Sequence, residues 1–214
     1  MGQGQSLLAL TVIKNVQHEC RNHDQGCNVK LNFGQIKEHE ETCDWRLIPC
    51  PGMGLFCKAS TTLGNVLNHA EVCPNCEWPP KQVDGEGALF RNLLGAPKMG
   101  KQETLRWSTK VLESEEGWFF FVKSTLKGGR YEVDVLMKGS QEDCKDFMVE
   151  VSILNAETGK PEYKSSFKPR PLTDQNEAIY CLSVPEKGLS RAWKYGQNEG
   201  KYIILCSVKI FKLD

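Results

Sequence analysis

One spacing occurs twice in this chain, and it limits the fold more than anything else in the sequence. The first copy runs Cys20, six residues, Cys27, eleven residues, His39, three residues, Cys43. After six further residues it repeats as Cys50, six, Cys57, eleven, His69, three, Cys73. Each copy offers three sulfurs and one imidazole nitrogen, the donor set of a closed, tetrahedral, structural zinc site. Thiolate and neutral imidazole suit zinc, whereas magnesium and calcium take oxygen ligands. The competing reading is a set of disulfides. It leaves a histidine at a fixed place in both copies without a role, so two structural Zn2+ ions are the expected cofactors.

The spacing also carries mechanics. His39 and Cys43 lie four residues apart, as do His69 and Cys73, and positions i and i+4 share one face of a helix. Short helices are therefore predicted over 35–43 and 63–73, with Thr61 or Thr62 as the N-cap of the second. The paired cysteines sit in turn-forming sequence. Gly26 precedes Cys27, and Pro51, Gly52 and Gly54 separate Cys50 from Cys57, which suits a knuckle presenting two sulfurs. Cys76, in Cys-Pro-Asn-Cys, is a second candidate for the last ligand in place of Cys73.

With these residues in view, the spacing resembles that of tandem TRAF-type zinc fingers. It is most similar to the pair in the seven-in-absentia family of ubiquitin ligases. The stretch HEETCDWRLIPCPG is close to what that family carries between its two fingers. The second finger of that family usually ends in histidine, and here it ends in Cys73. SLLALTVIKNVQHEC resembles the segment joining the family's RING domain to the fingers. The resemblance thus implies a chain without the RING, in which 1–17 form a leader or short helix and 18–76 the tandem fingers.

Composition narrows the function classes. Lysine plus arginine equals aspartate plus glutamate at 27 each. Up to residue 100 there are 9 basic and 10 acidic residues, and beyond it 18 and 17. Neither half is basic, so a nucleic-acid partner is not expected despite the fingers. The apolar run 7–13 is too short to span a bilayer and lacks the flanks of a secretion signal, so no membrane span is expected. Setting aside the two ligand sets leaves Cys76, Cys144, Cys181 and Cys206. Such scattered thiols fit a reducing compartment, the cytoplasm, with the nucleus as the alternative.

After the fingers the pattern changes. Residues 77–104 read as a proline- and glycine-rich linker containing a first strand. From 105 to 214 short aromatic and β-branched runs dominate, at 105–110, 118–123, 131–137, 147–154, 163–167, 178–184 and 202–211. KGGR, NAETGKP, KPRP and GQNEG supply turns between them. Only 189–195 looks helical. The fold class expected is a small zinc-dependent α+β double finger followed by an all-β antiparallel sandwich of about eight strands. DGEGALF, LRW, GWFFFV, AIYCLSV and GQNEGKYIILCSVKIF resemble the TRAF-like C-terminal domain of the seven-in-absentia family, more loosely than the fingers do.

No catalytic constellation stands out. All four histidines fall at or before residue 69. None lies in the β-region to activate a serine or cysteine. His18 and His23 read as surface residues, and two sites with four protein ligands have no open position for substrate.

The resemblance implies a substrate-recognition or adaptor protein, which binds targets for RING-dependent ubiquitination and proteasomal degradation. The alternative is a TRAF-like signalling scaffold with no ubiquitin role. The partners implied are target proteins bound as extended peptides and a RING-containing ligase or conjugating enzyme, with a homodimer as the candidate assembly. In that family the peptide adds as a strand after the fingers. The matching positions are Val83, Leu105, Trp107 and Thr109, the last three sharing one face of a strand over 105–110.

Overall fold

Each finger is a short hairpin closed by a helix. In the computed structural model, which describes residues 16–52, 57–83, 87–94, 104–174, 181–191, 193–195 and 202–213, β1 (Gln17–Glu19) pairs antiparallel with β2 (Lys30–Asn32). A 3-10 turn over His23–Gln25 joins them and ends on Gly26 at φ +113°. A Cβ on Gly26 would lie 2.7 Å from the Trp45 ring. Glycine is therefore required twice over, for the left-handed backbone and for the contact. Helix α1 (Phe33–Thr42) begins at Asn32, whose side chain accepts from the Gln35 N–H at 3.1 Å. This cap satisfies one orphan donor of the first turn and starts the helix earlier than the spacing suggests.

The second finger repeats the plan with β3 (Leu47–Pro49), β4 (Ser60–Thr62) and α2 (Val66–Val72). Thr61 and Thr62, expected as helix caps, are in β4 instead. The residue at the cap position is Asn65, which makes no side-chain capping bond.

The β-region is built from β5 (Cys76–Val83), β6 (Ala88–Leu94), β7 (Leu105–Arg106), β8 (Thr109–Ser114), β9 (Phe119–Lys127), β10 (Arg130–Met137), β11 (Phe147–Leu154), β12 (Pro161–Phe167), β13 (Arg170–Pro171), β14 (Leu182–Pro185), β15 (Trp193–Tyr195) and β16 (Tyr202–Lys212). One sheet runs β13-β10-β9-β8-β5, with β14 also on β10 and β7 also on β9. The other runs β12-β11-β16-β15, with β6 also on β16. The two pack face to face. Leu112, Phe120, Val122, Tyr131, Val133 and Val135 of the first share a core with Phe90, Val149, Val151, Ile153, Ile204, Cys206 and Val208 of the second.

Several expectations are corrected. The strand expected over 105–110 is interrupted at Trp107 and Ser108, which separate β7 from β8. The linker expected over 77–104 contains most of β5 and all of β6, two strands where one was expected. Pairing is not wholly antiparallel, because β5–β8 and β10–β13 run parallel. The helix expected over 189–195 is a 3-10 turn, Glu186–Arg191, followed by strand β15 paired with β16. Pro185 and Gly188 shorten any helix there, and the edge of β16 captures the next three residues. The strand expected over 178–184 is seen from Leu182; residues 178–180 and the leader before Val16 lie outside the described residues.

Both faces of the first sheet are buried. Along β9, Phe120 and Val122 face the sandwich core while Phe121 faces the other way. There Val111, Phe121 and Leu136 form a second core with Leu172 and with Ile48, Cys50, Leu63, Val66, Ala70, Cys73 and Cys76. The second finger is thus a layer on the outer face of the sandwich. The first finger's core, Cys20, Cys27, Ile36 and Cys43 with Val29 and Leu31, stands apart from both.

Candidate metal centres

The fold brings each repeated ligand set to one point. In the first finger the knuckle between β1 and β2 carries Cys20 and Cys27, and α1 carries His39 with Cys43 at its end. In the second, Cys50 follows β3 and Cys57 precedes β4, while α2 carries His69 with Cys73 at its end. The four candidate ligand atoms of each set lie within 4.8 Å of one another. Cys20, Cys27, Cys43, Cys50 and Cys73 are buried, whereas Cys57, His39 and His69 are half-buried.

The distances discriminate between chemistries. A tetrahedral zinc with sulfurs at about 2.3 Å and nitrogen at about 2.0 Å has edges of roughly 3.8 Å for S···S and roughly 3.5 Å for S···N. Observed are Cys20 Sγ to Cys43 Sγ 3.8 Å, Cys50 Sγ to Cys73 Sγ 3.5 Å, Cys27 Sγ to His39 Nε2 3.3 Å and Cys57 Sγ to His69 Nε2 3.7 Å. A disulfide needs about 2.05 Å, and all ten cysteines are free. The donor set, its separations and its enclosure fit two structural zinc ions, and a closed four-ligand sphere leaves no position for a reacting water.

The surroundings tune the sulfurs. The Asn22 backbone and side-chain amides lie 3.4 and 3.5 Å from Cys20 Sγ, placed to donate to a thiolate. Burial opposes ionisation of Cys43, but the Trp45 N–H and the Asn22 and neighbouring thiol contacts hold it below its ordinary value. Burial pushes the Cys27 and Cys73 thiols up. Cys50 is raised by the neighbouring Cys76 thiol and then by burial. Metal binding must therefore displace protons from these sulfurs, so it releases acid as it folds the site. Cys76, weighed as a substitute for Cys73, is outside the four-atom cluster and sits beside Cys50 in the second finger's core.

Of the other histidines, His23 is exposed. His18, expected on the surface, is half-buried against Phe33, with ring centroids 5.8 Å apart. Burial pushes the Cys144 and Cys206 thiols up to about 12, which disfavours the reactive thiolate. Cys181 is raised by burial too and points its Sγ at Asp134 Oδ1, 3.3 Å away.

The positions matched to a peptide groove are not all on one surface. Val83 is 3% exposed and faces the sandwich core. Thr109 is also 3% exposed, and it is tied to the second finger. Its N–H donates to the Asn75 carbonyl at 2.8 Å and its hydroxyl to the Pro51 carbonyl at 3.2 Å. Leu105 is 37% exposed. Trp107 is half-buried and meets Tyr131 edge to face at 5.6 Å. Sequence spacing could not show that the break after β7 turns Thr109 toward the finger. It also missed Asn75, Pro51 and Gly52, which make that junction. A Cβ on Gly52 would stand 2.8 Å from the Asn75 carbonyl oxygen.

Among the described residues no helix is long and apolar enough to cross a membrane. Comparison with known proteins bears on the fingers. The family model for the Sina zinc finger matches residues 11–73. The E3 ubiquitin-protein ligase sina of Drosophila melanogaster is 38% identical over 58 residues, 27% of this chain and 18% of that protein. The E3 ubiquitin-protein ligase siah2 of Xenopus laevis is 34% identical over 58 residues, with the same coverage of 27% and 18%. The match thus spans less than a fifth of the length of these curated relatives, and the family model covers both ligand sets. In ligand spacing, geometry and sequence, the double finger of this chain is similar to the Sina zinc finger.

Proposed function

We propose that this chain is a zinc-built recognition module for ubiquitin transfer. It holds target proteins so that a RING-containing ligase or a conjugating enzyme can modify them for degradation. The observation that carries this reading is the doubled Cys3His finger, similar to that of relatives named as E3 ubiquitin-protein ligases. Cys20, Cys27, His39 and Cys43 are the proposed ligands of one zinc, and Cys50, Cys57, His69 and Cys73 those of the other. Ten unpaired cysteines support a reducing compartment, the cytoplasm, as the setting.

Target recognition is proposed at the outer end of the first sheet. Strand β7 pairs with β9 there, and β5 begins only opposite Thr109. A peptide laid beside Leu105 would gain main-chain hydrogen bonds and use Leu105 and Trp107 as apolar anchors. Thr109 supports this end through its bond to Pro51, whereas Val83 lies in the sandwich core beside Ser114, at the other end of β8.

The test is capture from cells by the full chain and by Trp107→Ala. A hot-spot aromatic contributes about 2 kcal/mol or more, a loss of roughly thirtyfold in affinity. Proteins captured by the wild type should be lost by the variant, and should carry ubiquitin that accumulates when the proteasome is blocked. A folded Trp107→Ala that captures the same proteins with equal affinity contradicts the groove. Captured proteins whose ubiquitination never depends on this chain would instead support the signalling-scaffold reading.

A further inference from the structure

The sandwich has a second open side, where the edge strands β5 and β6 of its two sheets come together. A cleft of about 350 Å3 lies there, lined by Glu77 and Lys81 of β5, Leu89, Phe90 and Arg91 of β6, and Lys110 of β8. Three features distinguish it from ordinary surface.

The first is the edge itself. Among the described residues β6 pairs with β16 alone, so its other side offers main-chain donors and acceptors to an incoming strand. The facing edge is protected, because β5 contains Pro79 and Pro80, and proline cannot donate to a ladder. Strand β6 contains no proline. The second is charge. Three cations line the cleft against one carboxylate, Glu77. Lys110 is the unusual one. Its side chain is only 9% exposed, and its ammonium is ion-paired with a Glu77 that is 46% exposed. An ammonium has three donors, and Glu77 occupies one of them. Lys81 stands over the Phe90 ring with its Nζ 5.1 Å from the centroid, an arrangement that holds its charge over the cleft. The third is an apolar foothold, since Leu89 is 50% exposed beside these cations.

We propose that this cleft is a second recognition surface, which takes an extended acidic segment of a partner protein as a strand added to β6, its carboxylates meeting Lys81, Arg91 and Lys110. Main-chain pairing supplies affinity without regard to sequence, while alternate side chains meet Leu89 and Arg91 on the outward face of β6 and Lys81 and Lys110 across the cleft. Complementary charge governs which segments are accepted and how fast they arrive. The surface is separate from the Leu105 end of the first sheet, so one chain could hold two segments of a target, or a target and a second protein. A phosphate backbone is the poorer fit, because the chain carries no net positive charge and the foothold is aliphatic rather than a stacking platform.

The test uses the zinc-loaded full chain, labelled for NMR, with a capped octapeptide alternating valine and glutamate as the probe. Its controls are the valine–lysine counterpart and a thymidine oligonucleotide. The acidic peptide should shift the amides of residues 88–92 and bind less well at high salt. Lys81→Glu and Arg91→Glu, both at exposed positions, should each weaken it about tenfold while the spectrum stays folded. Trp107→Ala should leave this binding unchanged. Absence of shifts in 88–92, equal binding of the lysine peptide, or no effect of either charge reversal would overturn the proposal. Stronger binding of the oligonucleotide at the same residues would do so as well.

Discussion

Replacing Cys57 by serine is expected to destabilise the β-sandwich as well as the finger that contains it, whereas Cys27→Ser should unfold the first finger and leave the sandwich intact. The reason is the second core. Val111, Phe121 and Leu136 on the outer face of the sheet are covered by Ile48, Leu63, Val66 and Ala70 of the second finger. That finger is too small to bury a core of its own, so its order depends on metal. Once it unfolds, three large apolar side chains of the sandwich meet water. At about 1.5–3 kcal/mol for each such side chain, the loss is roughly 5 kcal/mol or more, a large part of the ~5–15 kcal/mol that a domain has. The first finger's core contains no residue of the β-region. Hydrogen exchange of β8, β9 and β10 amides in the two variants measures the difference. Equal protection in both would mean that the second finger is not part of the sandwich's core.

The reciprocal change is Phe121→Ala. Phe121 is fully buried between the sheet and the finger, and deleting such a ring costs about 3–5 kcal/mol. Linkage requires that what the finger gives the sheet, the sheet gives the finger. The variant should therefore lose zinc from the second site faster than the wild type when challenged with a chelator, while the first site exchanges at an unchanged rate. Phe120→Ala is the control. Its ring is equally buried but lies in the core between the sheets, so its cost should fall on sandwich stability with a smaller effect on zinc release. Identical release kinetics for Phe121→Ala and wild type would contradict the shared core.

These couplings were only partly legible in the sequence. The two ligand sets could be read directly, because a metal imposes its donor types and spacing on local sequence. The strand Phe147–Leu154 could be read to its ends, since its alternation is regular and one face packs on the core. Where reading failed, a long-range contact had decided. The triple phenylalanine Phe119–Phe121 reads as one strand, but its lack of alternation is the signal that both faces are covered. What covers the outer face, a zinc finger some fifty residues earlier, is invisible to local pattern. The same holds at Thr109. A period of two puts it beside Trp107 on one face, and only the Pro51 and Asn75 carbonyls explain why it turns to the finger instead. The break in the strand and the junction with the finger are one feature seen from two sides. Residues 189–195 failed for a different reason. Their composition tolerates a helix, but the unpaired edge of β16 selects a strand for Trp193–Tyr195, and tertiary pairing overrides so weak a propensity.

The measurement closest to the centre of this account is metal content combined with X-ray absorption at the zinc edge, on protein purified under reducing conditions. Two zinc ions per chain are expected, with an averaged shell of three sulfurs at about 2.3 Å and one nitrogen at about 2.0 Å, and with no disulfide in the intact mass. A chain that is folded with close to no zinc and with its cysteines paired, or a shell containing oxygen from water, would contradict it.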